Sequence, residues 1–180
     1  MKGYANRNRR TVGIIAAALV AAMLFLLIFW FGVIELAAFN SRSVLEWRLG
    51  APISGISGPE DGRNVILPQF EWYEDGQRAG LKSADGGTYY FMGMRPDAGF
   101  GSYCVTGFAT NEPDYSILGI RIGDDELAAK TKLLNEGYSI NSGALDRCLA
   151  EKGKITVILA FAHDCVTQME AHLKTTDLFG

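Results

Sequence analysis

The longest apolar stretch of the chain lies near its N-terminus. The 23 residues from Val12 to Ile34 include no charged side chain, and a helix of that length spans about 34 Å. The hydrocarbon core of a bilayer is about 30 Å thick, so the pattern predicts one transmembrane helix over residues 12–38. Trp30 falls towards the outer end of this helix, where the membrane–water interface favours an indole ring.

Basic residues cluster on one side of this run. Residues 1–11 carry four Lys or Arg and no acid, whereas only Arg42 and Arg48 follow the run closely. The positive-inside rule therefore predicts a cytoplasmic N-terminal tail (1–11) and an extracytoplasmic C-terminal domain at the cell membrane. The competing interpretation is a cleaved signal peptide. Its apolar region should be shorter, and residues 36–38 match a cleavage site only loosely.

A segment rich in glycine and proline follows the run. Residues 50–62 contain four glycines and two prolines, a composition that interrupts regular structure. We therefore predict a stalk or linker over residues 39–62 and a folded domain over residues 63–180.

Strand signals dominate that domain. Residues 70–73, 88–92 and 102–109 are rich in aromatic and β-branched side chains and are separated by Asp/Gly turns. Three more strands are predicted at 144–150, 154–162 and 165–173. Alternation along them predicts two sets of core-facing residues: Ile155, Val157, Leu159 and Phe161 on one strand, and Cys165, Thr167, Met169, Ala171 and Leu173 on the next. Gln168, Glu170 and His172 then face the opposite way.

A helix is predicted over residues 124–136. Asp124 or Asp125 can cap its start, and Gly137 ends it. Leu127, Thr131 and Leu134 fall on one helical face, which we expect to pack on the sheet. The predicted fold class is α+β: an antiparallel sheet with one or two short helices packed on it, preceded by the transmembrane helix.

A short internal repeat divides the domain. Cys104-Val-Thr recurs as Cys165-Val-Thr, each time after a candidate strand and turn. The hypothesis that follows is two related halves, residues 63–110 and 117–174.

The segment Ile117-Leu-Gly-Ile-Arg-Ile-Gly-Asp-Asp-Glu126, followed by a short helix and a strand meander, resembles extracytoplasmic modules of the SmpA/OmlA and beta-lactamase-inhibitor-protein-like type. The resemblance covers residues 103–174. It implies an α+β binding or assembly module of the cell envelope, and it brings no catalytic residues with it.

Charge and motifs narrow the function further. From residue 40 onward the chain has 13 Lys/Arg and 19 Asp/Glu, an acidic balance that argues against a nucleic-acid partner. His163-Asp164-Cys165 contains residue types found in nucleophilic sites, but three consecutive turn residues cannot readily converge as a triad. No spacing typical of a metal, phosphate or other cofactor site is present, so we predict no cofactor and no catalytic residue.

Three cysteines remain to be explained. Cys148 and Cys165 could form a disulfide if their strands are close, because the compartment outside the cytoplasm permits one. The alternative is three small buried hydrophobic residues, Cys104 included.

Aromatic residues crowd residues 70–103. If several of them share a solvent-exposed face, they could contact an envelope protein or stack on a glycan ring; otherwise they form the core of the sheet. The candidates for this surface are Trp72, Tyr73, Tyr89, Tyr90, Phe100 and Tyr103.

These observations favour a non-enzymatic binding or assembly module of the cell envelope, anchored by a single span. One alternative is a sensor or regulatory subunit of a membrane complex, which would use the anchor as an interface. An envelope enzyme is the second alternative.

Overall fold

The alternation of apolar and polar residues is realised as one antiparallel sheet. The computed structural model describes residues 3–53, 70–74, 79–94, 103–144 and 146–174. Their helices and strands are α1 (Gly3–Ser41), β1 (Pro52–Ile53), β2 (Phe70–Glu74), β3 (Ala79–Ser83), β4 (Thr88–Met94), β5 (Tyr103–Thr110), α2 (Glu126–Asn135), β6 (Ser139–Ala144), β7 (Arg147–Lys152), β8 (Ile155–Ala162) and β9 (Cys165–Leu173). The fold class is α+β, as predicted.

The chain divides into two units, Met1–Glu35 and Leu36–Gly180. The first unit is helical from Gly3 onward and belongs to α1. Among the described residues, Ile14–Ser41 is the one helical segment whose length and mean hydropathy of 2.8 would allow it to cross a membrane. A signal sequence can meet the same criterion. The apolar run predicted as a span is therefore helical.

Two four-stranded meanders make up the sheet of the second unit. The strand order is β2-β3-β4-β5-β9-β8-β7-β6, and the short β1 pairs with β5. The last strands of the two meanders, β5 and β9, are neighbours, with Gly107 opposite His172 and Thr110 opposite Met169. The meander β2–β5 and the meander β6–β9 are thus arranged about the β5–β9 pair.

One side of this sheet carries the hydrophobic core, and we call it the core face. Ile155, Val157, Leu159 and Phe161 are buried there, which confirms the predicted alternation on β8. Residues of α2, of the end of α1 and of the loops before β1 and α2 join the same core cluster. The opposite side, which we call the open face, carries mostly half-buried side chains, and the helices and loops named above join the core face.

Helix α2 has the predicted caps but not the predicted packing. The Asp125 side chain accepts a hydrogen bond from the Ala128 N–H at 2.9 Å, and Gly137 has a positive φ of 82°. The predicted packing face was wrong, because Leu127 and Leu134 are exposed, whereas Ala129 and Leu133 are buried. The small side chain of Ala129 lets the helix approach the sheet closely on that side.

The alternation on β9 reverses at a β-bulge. Ala160 lies opposite Gln168 and Phe161 lies opposite Val166, so Thr167 is an extra residue. Met169 and Ala171 are buried as predicted, but Val166 is buried in place of the predicted Cys165 and Thr167. An extra residue shifts the period-2 pattern by one position, which explains the difference.

The strand predicted at 144–150 is also corrected. The chain forms β6 up to Ala144 and β7 from Arg147, so residue 144 ends one strand and residue 147 begins the next. The two strands pair with each other, and Ala144 lies opposite Arg147. The sequence analysis missed β6 because its small and polar residues carry little strand signal.

The start of the predicted stalk lies inside the domain. Phe39 is 2% exposed and Leu49 is 1% exposed, and both belong to the core cluster. The Asn40 side chain donates to the Leu49 C=O at 2.9 Å and accepts from the Leu49 N–H at 3.0 Å. Over residues 39–53 the structure therefore differs from the stalk prediction, because apolar residues spaced along this segment reach the core. Residues 54–62 lie outside the described residues.

The two meanders share several local features. A bulge places Thr106 on β5 where Thr167 lies on β9, and the hydroxyl groups donate to the Phe91 and Ala160 carbonyls at 3.2 and 3.3 Å. Val105 and Val166, one residue before each bulge, accept from the N–H of Gly50 and of Gly123 at 2.8 Å. The two meanders thus share a bulge, a threonine hydrogen bond and a glycine contact at matching positions, and the hypothesis of two related halves stays a prediction.

Candidate functional site: the open face of the sheet

The predicted aromatic surface is divided between the core and the open face. Tyr90 is 0% exposed and lies in the core, so its assignment to a surface was wrong. Tyr89, which precedes Tyr90 on β4, is half-buried. It pairs with Ala109 on β5, and Ala109 pairs in turn with Glu170 on β9. The side chains of Trp72, Tyr73 and Tyr103, and the whole of Phe100, lie outside the described part of the structure.

Tyr90 is the centre of an aromatic core cluster. Its ring centroid lies 4.7 Å from that of Trp47 and 5.0 Å from that of Phe108. The phenol oxygen accepts from the backbone N–H of Glu46 at 2.8 Å and of Trp47 at 3.4 Å. Burial raises the pKa of Tyr90 above its ordinary value. Tyr90 therefore fixes the segment after α1 and does not contribute to a binding surface.

The open face is assembled from five adjacent strands, β4, β5, β9, β8 and β7. Register places Phe91 opposite Gly107, Gly107 opposite His172, and His172 opposite Thr156. The next row along the strands consists of Tyr89, Ala109, Glu170, Ile158 and Leu149. Most of these side chains are half-buried, which is typical of a sheet surface without a covering layer.

An aromatic pair crosses β5 in the first of these rows. The Phe91 and His172 rings are stacked, with centroids 5.2 Å apart and planes 30° apart. They meet over Gly107, where an added Cβ would lie 2.5 Å from His172 Nδ1 and 2.8 Å from Phe91 Cδ2. Only glycine at this position leaves room for the stacked pair.

A line of polar side chains follows β9. Gln168 Nε2 donates to Glu170 Oε1 at 3.2 Å, and His172 Nε2 lies 3.2 Å from Glu170 Oε2. The three residues alternate with the buried Met169 and Ala171, as the sequence predicts. Their hydrogen bonds restrict the conformations of three neighbouring side chains on this face.

Aromatic and basic groups extend the surface towards β3. Lys82 Nζ lies 5.8 Å from the centroid of the Tyr89 ring, within cation–π range. On the other side, Lys174 Nζ forms an ion pair with Glu151 Oε1 at 2.7 Å. The open face thus combines rings, aliphatic side chains and charges of both signs.

The cysteines do not form the predicted disulfide. Cys148 and Cys165 are not bonded to each other: Cys148 lies opposite Leu159 and Cys165 lies opposite Ala162, both on β8. Strands β7 and β9 flank β8 and so lie about 9.6 Å apart, beyond the ~7 Å limit between the Cα atoms of a disulfide. Cys148 is buried, and burial raises the pKa of its thiol.

Among the described residues, no group of three or more His, Cys, Asp or Glu side chains could hold a metal ion. Asp125 caps α2, and the predicted turn at His163 and Asp164 is present, with positive φ values of 52° and 60°.

The sequence analysis missed one clear signal. Ser43-Val-Leu-Glu-Trp-Arg-Leu-Gly50 recurs 73 residues later as Ser116-Ile-Leu-Gly-Ile-Arg-Ile-Gly123. The two copies meet in the structure, because Val44 and Ser116 exchange backbone hydrogen bonds at 2.8 and 3.2 Å. The role of Phe91 was also missed, since only the register reveals its contact with His172.

Comparison of the chain with protein-family models, with curated proteins and with solved structures found no match. The resemblance to SmpA/OmlA and beta-lactamase-inhibitor-protein-like modules therefore stays a prediction from the sequence.

Proposed function

We propose that this protein is a membrane-anchored, extracytoplasmic, non-enzymatic binding or assembly module of the cell envelope, and that the open face binds its partner. The observation that carries the proposal is the arrangement on that face: a Phe91–His172 stack and a hydrogen-bonded line from Gln168 to His172 on a surface without a described cover. Binding surfaces are typically built from such fixed aromatic and polar side chains.

The dimensions of the face favour a protein partner. Eight strands at ~4.8 Å spacing make a sheet roughly 34 Å wide. A standard protein interface buries about 800 Å² on each partner, which a surface of this width can supply. A glycan chain would use fewer strands and is the competing ligand.

The proposed orientation rests on the charges around α1. Four basic residues precede the apolar run, and the domain beyond it is acidic. Under the positive-inside rule residues 39–180 are outside the cytoplasm. Protease added to intact cells should degrade this domain and leave residues 1–11 protected. Protection of the domain would contradict the topology, and its release into the medium would indicate cleavage.

Photo-crosslinking tests the binding surface directly. A benzoylphenylalanine at Ala160, on the open face of β8, should give a protein adduct in intact cells. The matched control carries the same group at Asn135, which is exposed on α2. Equal adducts from both positions would contradict binding through the open face. If glycan-degrading enzymes removed the adduct, the partner would be a glycan and not a protein.

A second candidate function is a sensor or regulatory subunit. It is favoured by the contacts of residues 40–50 with both halves of the domain: Glu46 donates to Tyr90 on β4, Gly50 donates to Val105 on β5, and Val44 pairs with Ser116 ahead of α2. Displacement of this segment would disturb both meanders. Replacing residues 12–34 with an unrelated apolar helix separates the two functions. A binding module should keep its partner, whereas a sensor that uses its anchor as an interface should lose its response.

A further inference from the structure

His172 lies on β9, the central strand of the open face. Its Nε2 atom is 3.2 Å from Glu170 Oε2, and its ring stacks on that of Phe91 with centroids 5.2 Å apart. The side chains of His172 and Glu170 are 28% and 19% exposed, so solvent still reaches both. An imidazole changes its charge between about pH 5 and pH 8. The charge at the centre of the open face therefore depends on pH through His172.

The strands on either side of β9 place uncharged residues against His172. Its register partners are Gly107 on β5 and Thr156 on β8, and Phe91 follows on β4. Among the described residues, the titratable groups on this side of the sheet near His172 are Glu170 on β9, Lys174 after it, Lys154 before β8, Glu151 on β7, Tyr89 on β4 and Cys104 on β5. Phenols, thiols and ammonium groups ordinarily do not change charge between about pH 5.5 and pH 7.5, whereas an imidazole does.

A partner that covers the open face removes water from around this pair. The attraction between opposite charges grows as the local dielectric constant falls. A protonated His172 forms an ion pair with Glu170, and its charge also lies within cation–π range of the Phe91 ring. A neutral His172 would leave the partner to cover the carboxylate beside an uncharged ring, which costs more free energy. The covered face therefore favours the protonated imidazole.

We propose that partner binding at the open face takes up a proton at His172, so that the partner binds more tightly as the pH falls from about 7.5 to about 5.5. The sign follows from reciprocal linkage: if the partner favours the bound proton, the proton favours the bound partner by the same factor. This inference rests on the proposed function, because it concerns the regulation of the same face.

The test illuminates isolated membranes that carry the full chain with benzoylphenylalanine at Ala160, in buffers from about pH 5.5 to about pH 7.5. Ala160 lies opposite Gln168, which donates to Glu170, so the probe is placed beside the pair. The yield of protein adduct should rise about fivefold towards the lower pH, the small end of typical coupling between two sites. The same group at Asn135 should show no such rise.

Three variants assign the titrating group. His172→Gln should give the same adduct yield at every pH. Glu170→Gln keeps a hydrogen-bonding side chain but removes the charge, so it should abolish the rise towards low pH. His163→Asn changes the other histidine of the chain and should keep the wild-type rise. Asparagine tolerates the positive φ at that position, and near-UV circular dichroism at each pH checks the fold of all three.

Every other outcome contradicts a definite statement. A wild-type yield that stays constant, or falls towards pH 5.5, would overturn the proton uptake and leave binding through the open face standing. An undiminished rise in His172→Gln would overturn it as well, because the titrating group would then lie elsewhere. If Ala160 gave no more adduct than Asn135 at any pH, the proposed binding face would be wrong, and the proton uptake with it.

Discussion

The two meanders share a backbone pattern but differ in what packs on their core faces. In the first, rings from Trp47, Phe70, Tyr90 and Phe108 form a continuous cluster. In the second, Ala129 and Leu133 of α2 belong to the same core cluster as the aliphatic residues Val157, Leu159 and Met169. The comparison teaches that the same bulges and glycine turns can be stabilised either by aromatic packing or by a helix.

The divergence begins at one position in the repeated motif. Gly50 is followed by Ala51 and Pro52, whereas Gly123 is followed by Asp124 and by Asp125, the N-cap of α2. Pro52 and Asp125 occupy matching places, because they lie opposite Cys104 and Cys165. An Asp there starts a helix by accepting from its backbone N–H groups, and proline lacks that acceptor. Five predictions can break or sharpen this comparison.

The largest effect is expected from the matched core residues Phe108 and Met169. Phe108→Ala should lower the free energy of unfolding by about 3–5 kcal/mol and Met169→Ala by about 2–5 kcal/mol. Phe108 should cost more because its ring contacts with Tyr90 and Tyr115 add about 0.5–1.5 kcal/mol each. Chemical denaturation of the full chain in detergent measures both. A larger loss for Met169→Ala would contradict the conclusion that aromatic packing is the main stabilising contact of the first meander.

The next largest effect concerns Gly107. Gly107 follows the bulge residue Thr106 on β5, just as Gln168 follows the bulge residue Thr167 on β9. Gly107→Ala should destabilise the fold by roughly 1–3 kcal/mol, because the new Cβ overlaps the His172 and Phe91 rings. It should also reduce the adduct from Ala160 in the crosslinking experiment. Gln168→Ala is the matched change in the second meander and should alter stability by no more than about 0.5 kcal/mol. Equal effects on stability would mean that the stack does not constrain this position.

Tyr90 tests how the first meander holds the segment after α1. Tyr90→Phe keeps the ring but leaves the N–H groups of Glu46 and Trp47 without their acceptor. The expected loss is about 1–3 kcal/mol in the free energy of unfolding. Hydrogen exchange at Glu46 and Trp47 should accelerate, while exchange in β8 should not. Faster exchange throughout both meanders would contradict a local role for the phenol.

Asn40 in the first half and Asp125 in the second each hold a local segment through side-chain hydrogen bonds. Asn40→Ala removes both hydrogen bonds to Leu49, and Asp125→Ala removes the cap of α2. Each should cost about 1 kcal/mol. Thermal unfolding followed by circular dichroism measures the loss, with Asn135→Ala as a surface control. If Asn40→Ala had no effect, residues 39–49 would contribute less to the first half than their burial indicates.

The smallest effect comes from Asp124, whose counterpart is Ala51. Partial burial raises the pKa of its carboxyl, but the hydrogen bond from Lys132, the Arg121 N–H and the charges of both residues outweigh this, so the pKa is lowered. A carboxyl with a lowered pKa in the folded state stabilises the fold above its unfolded pKa, and this contribution disappears as the pH falls through the folded value.

Asp124→Ala should therefore cost at most about 1 kcal/mol at pH 7, as exposed ion pairs do. The difference between variant and wild type should shrink as the pH falls through the lowered, folded-state pKa of Asp124. Denaturation at several pH values measures it, and a difference that persists in acid would assign the effect of Asp124 to something other than its charge.

Particular residues show how far sequence reasoning reached. The strands β8 and β9, the caps of α2 and the outward position of Glu170 and His172 were predicted, because local periodicity and capping chemistry are written in adjacent residues. The packing side of α2 was not, because Leu127/Leu134 and Ala129/Leu133 are competing apolar stripes. The burial of Val166 was missed since a single bulge reversed the alternation. The pairing of Phe91 with His172 depends on residues 81 positions apart.

What the sequence by itself determined is the local chemistry: an apolar run long enough for a span, an acidic domain, alternating strands and a capped helix. These properties depend on neighbours along the chain. Only the tertiary structure decided which apolar stripe is buried, where residues 39–49 belong and which side chains meet on the open face. Each of those outcomes depends on strand register and on the competition among distant residues for one core face, and no local pattern encodes that competition.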